Sequence, residues 1–216
     1  FNSSAHGITI YDGSPDQKIT FTSNPYDWLE ASFFYTNIQG KPYPGSGFSQ
    51  DYKDKGFNFK LRLKEEGIFP AVALGINDIA GTGLYGSEYL VGSYGIGKLD
   101  IHFGIGWGAY NGSKYNFKNP LGYLDNRFNN RQKAEDGLGD TGSFQPGRYF
   151  SDEKSSPFFG ISYLLKDNLL LKFEHDTTLT TGEIEYEIPN NQYSFGLDFI
   201  SKRNFNLGLS FERGNT

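Results

Sequence analysis

Over residues 99–110 the chain alternates. Leu99, Ile101, Phe103, Ile105, Trp107 and Ala109 are apolar, and between them stand Asp100, His102, Gly104, Gly106, Gly108 and Tyr110. A period of two sends successive side chains to opposite faces, which predicts a β-strand. The twelve residues of this stretch exceed the roughly five or six usual in globular strands. They suit a tilted strand crossing a hydrocarbon layer, which takes about 9–11 residues.

The same alternation recurs along the chain. Ile8 and Ile10 alternate with Thr9 and Tyr11, and Ile19 and Phe21 with Lys18, Thr20 and Thr22. In 28–38 the apolar set is Leu29, Ala31, Phe33 and Tyr35, with Phe34 out of phase. In 57–64 Phe57, Phe59, Leu61 and Leu63 oppose Asn58, Lys60, Arg62 and Lys64. Further strands are predicted at 69–79, 159–165, 169–174, 193–199 and 205–212. Residues 85–96 settle on neither parity, and Gly86, Gly92 and Gly95 predict a bulge or bend there. This makes eleven strands in sequence, with no helical period between them.

The connections alternate in length. Short ones at 24–27, 65–67, 97–98, 166–168 and 201–204 separate longer ones at 12–16, 39–55, 80–84, 111–156 and 177–190. Membrane barrels sort their connections in this way, with short periplasmic turns and long extracellular loops. The pattern therefore predicts an all-β, antiparallel, up-and-down transmembrane β-barrel, with 111–156 as its long extracellular loop. Bacterial single-chain barrels have even strand numbers. Hence about 12 strands are expected, or the N-terminal part of a larger or double barrel, with residues 1–216 forming one barrel domain. A barrel of that size has a narrow lumen, partly filled by side chains.

Composition agrees. Gly 28, Phe 20 and Tyr 15, with a mean hydropathy of -0.54, are unlike a helical membrane protein and suit strands that show lipid only every second residue. No run approaches the roughly 18 apolar residues of a spanning helix. A net charge of -5 without basic runs argues against nucleic acid as a partner. With Cys 0, neither a disulfide framework nor a thiol nucleophile exists. With Met 0 and no leader-like start, a removed signal peptide or a longer parent chain is expected.

The charged and polar residues on the polar parity are candidates for a lumen lining: Glu30, Lys60, Arg62, Lys64, Asp100, His102, Lys172, Glu174, Asp198 and Glu212. They fit a water-filled or self-plugged interior, or the lining for a hydrophilic substrate. Trp28, Tyr35, Trp107, Tyr110 and Tyr163 lie near predicted strand ends and are candidate interfacial aromatics. Gly104, Gly106 and Gly108 alternate within a strand that no helix follows, so they do not form a phosphate loop. They leave room for a substrate or for an inward-folded loop. His6, His102 and His175 have no metal-ligand spacing, and neither a metal nor a cofactor is expected. His175 beside Asp176 could orient a catalytic histidine, but no serine is singled out, and a non-enzymatic protein is expected.

Three segments, PYDWLEASFFYTNI, YKDKGFNFKLRLKEEGIFPAVALGINDIAGTGLYGSEYLV and GKLDIHFGIGWGAYNGSKYNFKNP, together with the terminal FNLGLSFERGNT, resemble the YjbH family of exopolysaccharide-operon outer-membrane proteins. The resemblance implies an outer-membrane barrel of a Gram-negative bacterium that helps secrete or assemble an exopolysaccharide or capsule. It also implies a long parent protein with more than one barrel-like region, and it carries over no catalytic residues. The lipid bilayer is the expected partner, with polysaccharide and periplasmic export proteins beside it. Two other roles compete with secretion: a scaffold barrel anchoring export components, and a barrel enzyme modifying lipid or glycan.

Overall fold

The computed structural model describes residues 5–13, 16–42, 50–132, 146–181, 186–200 and 206–213. All eleven predicted strands are present: β1 (Ala5–Asp12), β2 (Asp16–Tyr26), β3 (Leu29–Pro42), β4 (Asp51–Lys64), β5 (Ala71–Ile79), β6 (Ser87–Ile96), β7 (Leu99–Gly108), β9 (Lys154–Lys166), β10 (Leu169–His175), β13 (Tyr193–Ile200) and β14 (Asn206–Glu212). Three strands of two residues join them: β8 (Phe117–Lys118), β11 (Thr180–Thr181) and β12 (Tyr186–Glu187). The long strands and β8 form one 12-stranded antiparallel sheet in which spatial order is chain order; β8 pairs with β9, and β11 pairs with β12 separately. The sheet is open. β1 and β14 are its edges, and no ladder joins them among the described residues.

The register keeps each parity on its own side. Ile8, Phe21, Phe33 and Phe57 lie in line across β1 to β4. Leu61, Leu74, Leu90 and Ile105 continue the line across β4 to β7. Ile101, Ile161, Phe173, Phe195 and Phe211 carry it on to β14. Away from the end at Trp107, this apolar side is exposed or half-exposed: Ile8 is 71% exposed, Phe103 59% and Leu209 74%. The buried apolar side chains among the described residues are only Phe34, Ile38, Ala73, Trp107 and Ala109, whereas Asp54, Asp78, Glu88, Asn119, His175 and other polar groups are buried. A sheet in water covers its apolar face with a second layer. Here the polarity is reversed.

The polar side carries the other parity. Glu30, Lys60, Gly75, Tyr89 and Gly106 lie in line across β3 to β7. His102, Gly160, Glu174, Ser194 and Glu212 do so across β7 to β14. The Tyr85 hydroxyl, after β5, donates to Asp16 Oδ2 on β2 at 3.1 Å, and this bond draws distant parts of the sheet together.

The structure differs from expectation in several places. The expected loop at 39–55 is shorter, because Thr36 pairs with Asp54 and Tyr35 with Lys55; backbone ladders extend through polar residues that break the hydrophobic pattern. The strand expected from 69 begins at Ala71, since Pro70 has no N–H to give a ladder. The bulge expected in 85–96 is absent: β6 pairs on both sides without a shift. The register shifts lie instead between β2 and β3 at Ser23/Tyr26, between β3 and β4 at Ile38/Pro42, between β4 and β5 at Phe57/Phe59 and Arg62/Lys64, and between β9 and β10 at Leu169/Leu170. The tight turns Gly97-Lys98 and Asp167-Asn168 fall where expected, whereas β2 runs through Asn24 and Pro25 to Tyr26, so that the turn expected at 24–27 narrows to Asp27-Trp28; Gly97 adopts a φ of 63° that glycine tolerates. The expected turn at 201–204 lies outside the described residues.

Candidate functional site

The glycines of the polar face are matched to aromatic rings. Tyr89 sits between Gly75 and Gly106 in the register, and Phe158 sits opposite Gly104. A Cβ on Gly75 would run into the Tyr89 ring, and one on Gly104 into the Phe158 ring; one on Gly106 would lie 2.5 Å from Cβ of Tyr110. The glycines thus make room for this chain's own aromatic side chains.

The rings form one cluster. Tyr89 meets Tyr110 at 5.8 Å and 72°, and Phe158 at 6.3 Å and 81°. These edge-to-face geometries are favourable for aromatic pairs. Tyr110 lies 6.4 Å from Phe158. Asn77 Nδ2 donates to the Tyr110 hydroxyl at 3.2 Å and to Ser87 Oγ at 3.1 Å.

Beside the cluster opens a cleft of about 310 Å³, lined by Tyr89, His102, Tyr110, Phe158, Glu174 and Asp176 among others. Its floor is Gly160, where an added Cβ would stand 3.6 Å from Cγ of Glu174 and 3.8 Å from Cδ2 of His102. His102 Nδ1 is 2.9 Å from Ser93 Oγ. Asp176 accepts from Thr178 N at 2.8 Å and Thr178 Oγ1 at 2.6 Å, and pairs with Arg213 Nε at 3.4 Å. The cleft therefore offers ring faces, a carboxylate and an imidazole to a hydroxylated ligand. Among the described residues no hydrogen bond joins His175 to Asp176, whose carboxylate partners are Thr178 and Arg213. The His175 ring is stacked on Phe159 at 5.5 Å and flanked by Tyr193 at 5.2 Å, and its Nε2 has no partner among the described residues. No metal-binding cluster is present among the described residues.

Of the lumen candidates, the cleft brings together only His102 and Glu174. Glu30 faces Lys60 and accepts from Asn24 at 3.4 Å. Arg62 pairs with Glu65 at 3.0 Å, and Lys64 Nζ lies 4.5 Å above Phe69, both at the β4 to β5 turn. Asp100 stands opposite Ser162. Lys172 pairs with Asp198 at 2.5 Å, and Glu212 accepts from Ser210 at 2.9 Å.

The aromatic candidates divide. Trp28 is 51% exposed and stacked on Tyr26 at 5.4 Å, and Tyr35 and Tyr163 are also exposed. Trp107 and Tyr110 do not present themselves at the surface as expected. Tyr110 folds back over Gly106 into the polar-face cluster. Trp107 is 3% exposed, because the long loop covers it: Nε1 donates to Asn119 Oδ1 at 3.0 Å, and the ring meets Phe150 edge-on at 5.5 Å.

Two polar residues hold that loop. The Asn119 amide donates to the carbonyls of Phe128, Phe150 and Asp152 at 2.8, 3.0 and 3.1 Å. Its Oδ1 also accepts from Leu121 N at 3.0 Å. Glu88 is fully buried and meets Arg131 through two hydrogen bonds of 2.8 and 3.0 Å, while Phe150 N donates to it at 2.8 Å. Sequence reasoning missed Tyr89, Phe158, Glu88, Asn119 and Arg131. A signal for the first two exists, since glycines of the polar parity face aromatic residues, but it becomes readable only with the strand register. Replacing Asn119 with alanine leaves several buried groups unpaired and should cost about 2 kcal/mol. Red-shifted Trp107 emission in a Trp28→Phe background would report the loosened loop.

The fold and cleft define a class: an antiparallel up-and-down sheet with a bare apolar face and a polar face bearing an aromatic cleft. The chain belongs to the YjbH family, whose model, described as exopolysaccharide biosynthesis protein YbjH, matches residues 3–216. It is 36% identical over 208 residues to the uncharacterized lipoprotein YjbH of Escherichia coli (strain K12). That match covers 88% of this chain and 28% of the relative, so the chain spans little more than a quarter of the relative's length. No solved structure matches it.

Proposed function

We propose that this chain is a membrane-spanning β-domain of the bacterial outer membrane that serves exopolysaccharide secretion or assembly without catalysing a reaction. Its apolar face meets lipid and its polar face lines the lumen of a barrel. The carrying observation is the apolar line from Ile8 to Phe211 across the sheet, exposed or half-exposed along its length. In water such a face is a liability; in hydrocarbon it is what a spanning sheet requires. The family description supports the exopolysaccharide role. The relative's name, a lipoprotein, supports an envelope location at a membrane. The sorted connection lengths support an up-and-down barrel topology.

The chain's lack of cysteine makes a direct test practical. Spin labels at single-cysteine variants of Asp100, Ile101, His102 and Phe103, in a cysteine-free full-length protein in lipid vesicles, should alternate. Ile101 and Phe103 should collide with dissolved oxygen, Asp100 and His102 with a water-soluble nickel chelate. Uniform access of the chelate to all four positions would overturn the membrane reading.

A further inference from the structure

We infer that the cleft among β6, β7, β9 and β10 is a subsite for one neutral pyranose unit of a polysaccharide. This rests on the reading of the polar face given above and names what that face holds. The volume of about 310 Å³ lies at the lower end of small-ligand sites, roughly 300–1,000 Å³. It has room for one sugar ring, not a folded chain.

The walls match the two sides of such a ring. A pyranose has an apolar C–H face and a rim of hydroxyls. Phe158 and Tyr89, braced edge-to-face at 6.3 Å, supply a rigid aromatic step for the C–H face. Glu174 and His102 rise on either side of the Gly160 floor, one accepting from hydroxyls and the other offering an imidazole nitrogen. With Nδ1 of His102 engaged by Ser93, Nε2 is the atom left for the ligand. Gly160 is the gap that makes the pocket, because any larger side chain there would stand between Glu174 and His102.

Charge selects the ligand. Near the cleft, Asp176 is tied to Arg213 and Lys172 to Asp198. Glu174 enters no ion pair of this kind among the described residues and lines the cleft directly. A uronate or other anionic sugar would bring its carboxylate against Glu174, while among the described residues the cations beside the cleft, Arg213 and Lys172, are already paired. A neutral sugar brings hydroxyl donors, which a carboxylate binds strongly.

The test uses full-length protein in lipid nanodiscs, titrated with maltohexaose, cellohexaose and an oligogalacturonate hexamer and followed by saturation-transfer NMR. At least one neutral hexaose should bind saturably and the galacturonate should not. Phe158→Leu and Glu174→Gln should each weaken that binding about tenfold, equivalent to ~1.4 kcal/mol. The spin-label alternation at residues 100–103, measured in the same variants, shows that they remain folded in the bilayer. The subsite is overturned if no neutral hexaose binds, if the galacturonate binds as well, or if both folded variants bind like the parent. Loss of subsite binding with intact alternation removes this inference alone; loss of alternation in the parent removes the membrane reading as well.

Discussion

Replacing Arg131 with alanine should destabilise the protein by about 3–5 kcal/mol, the cost of leaving one member of a buried ion pair without its partner. The stranded group would be Glu88, fully buried on β6 and otherwise held by Phe150 N. Arg131 also donates to the Gly86 and Arg148 carbonyls at 3.0 and 2.8 Å, so the loop loses its anchors in the same step. Denaturant unfolding in detergent would measure the loss, and faster tryptic cleavage between residues 111 and 153 would localise it. Arg131→Lys should recover only part of the stability, since an ammonium cannot reproduce the two-pronged contact. Removing both charges, as Glu88→Leu with Arg131→Leu, should cost less than the single Arg131→Ala change. A single variant no worse than the double would show that the pair does not hold the loop.

The second large effect concerns the glycines under the aromatic cluster. Gly104→Val should cost about 3 kcal/mol, at the upper end of what overpacking does. An added Cβ would meet the Phe158 ring and also lie 2.6 Å from the Leu90 carbonyl oxygen, which belongs to the neighbouring backbone. Phe158→Ala should therefore rescue it only in part. Gly75→Ala offers the contrast, because the three nearest atoms all belong to the Tyr89 ring. There Tyr89→Ala should abolish the clash, and a double-mutant cycle should return a strong coupling. Equal rescue at both sites would contradict the packing described.

Strand positions were legible because a period of two needs only local sequence. The sides were legible for the same reason, once Leu99 to Trp107 and Phe57 to Leu63 had been read. Strand ends were less so: Asp54 and Lys55 continue a ladder with side chains that look like loop. Glu88 explains the ambiguous strand. It stands on the parity of Leu90, opposite Trp107, where the sheet is covered by the chain's own loop. An apolar or buried position does not declare what buries it, so Trp107 looks the same in sequence whether lipid or Phe150 lies against it. The cleft was half visible. His102 and Glu174 stood on the polar parity, but their neighbours Tyr89 and Phe158 depended on register, and Tyr110 on a turn that folds its ring back.

The open sheet has a consequence for any protein that holds it in a bilayer. Each ladder between consecutive strands satisfies its own peptide groups, but β1 (Ala5–Asp12) and β14 (Asn206–Glu212) each keep one row of N–H and C=O groups facing outward. In water such rows are hydrated; in hydrocarbon each unmatched group costs several kcal/mol. Within lipid the two margins must therefore be seamed, to each other or to further strands. The energy at stake along eight residues of one margin and seven of the other exceeds any side-chain contact described above. The seam decides whether this sheet can reside in a membrane at all.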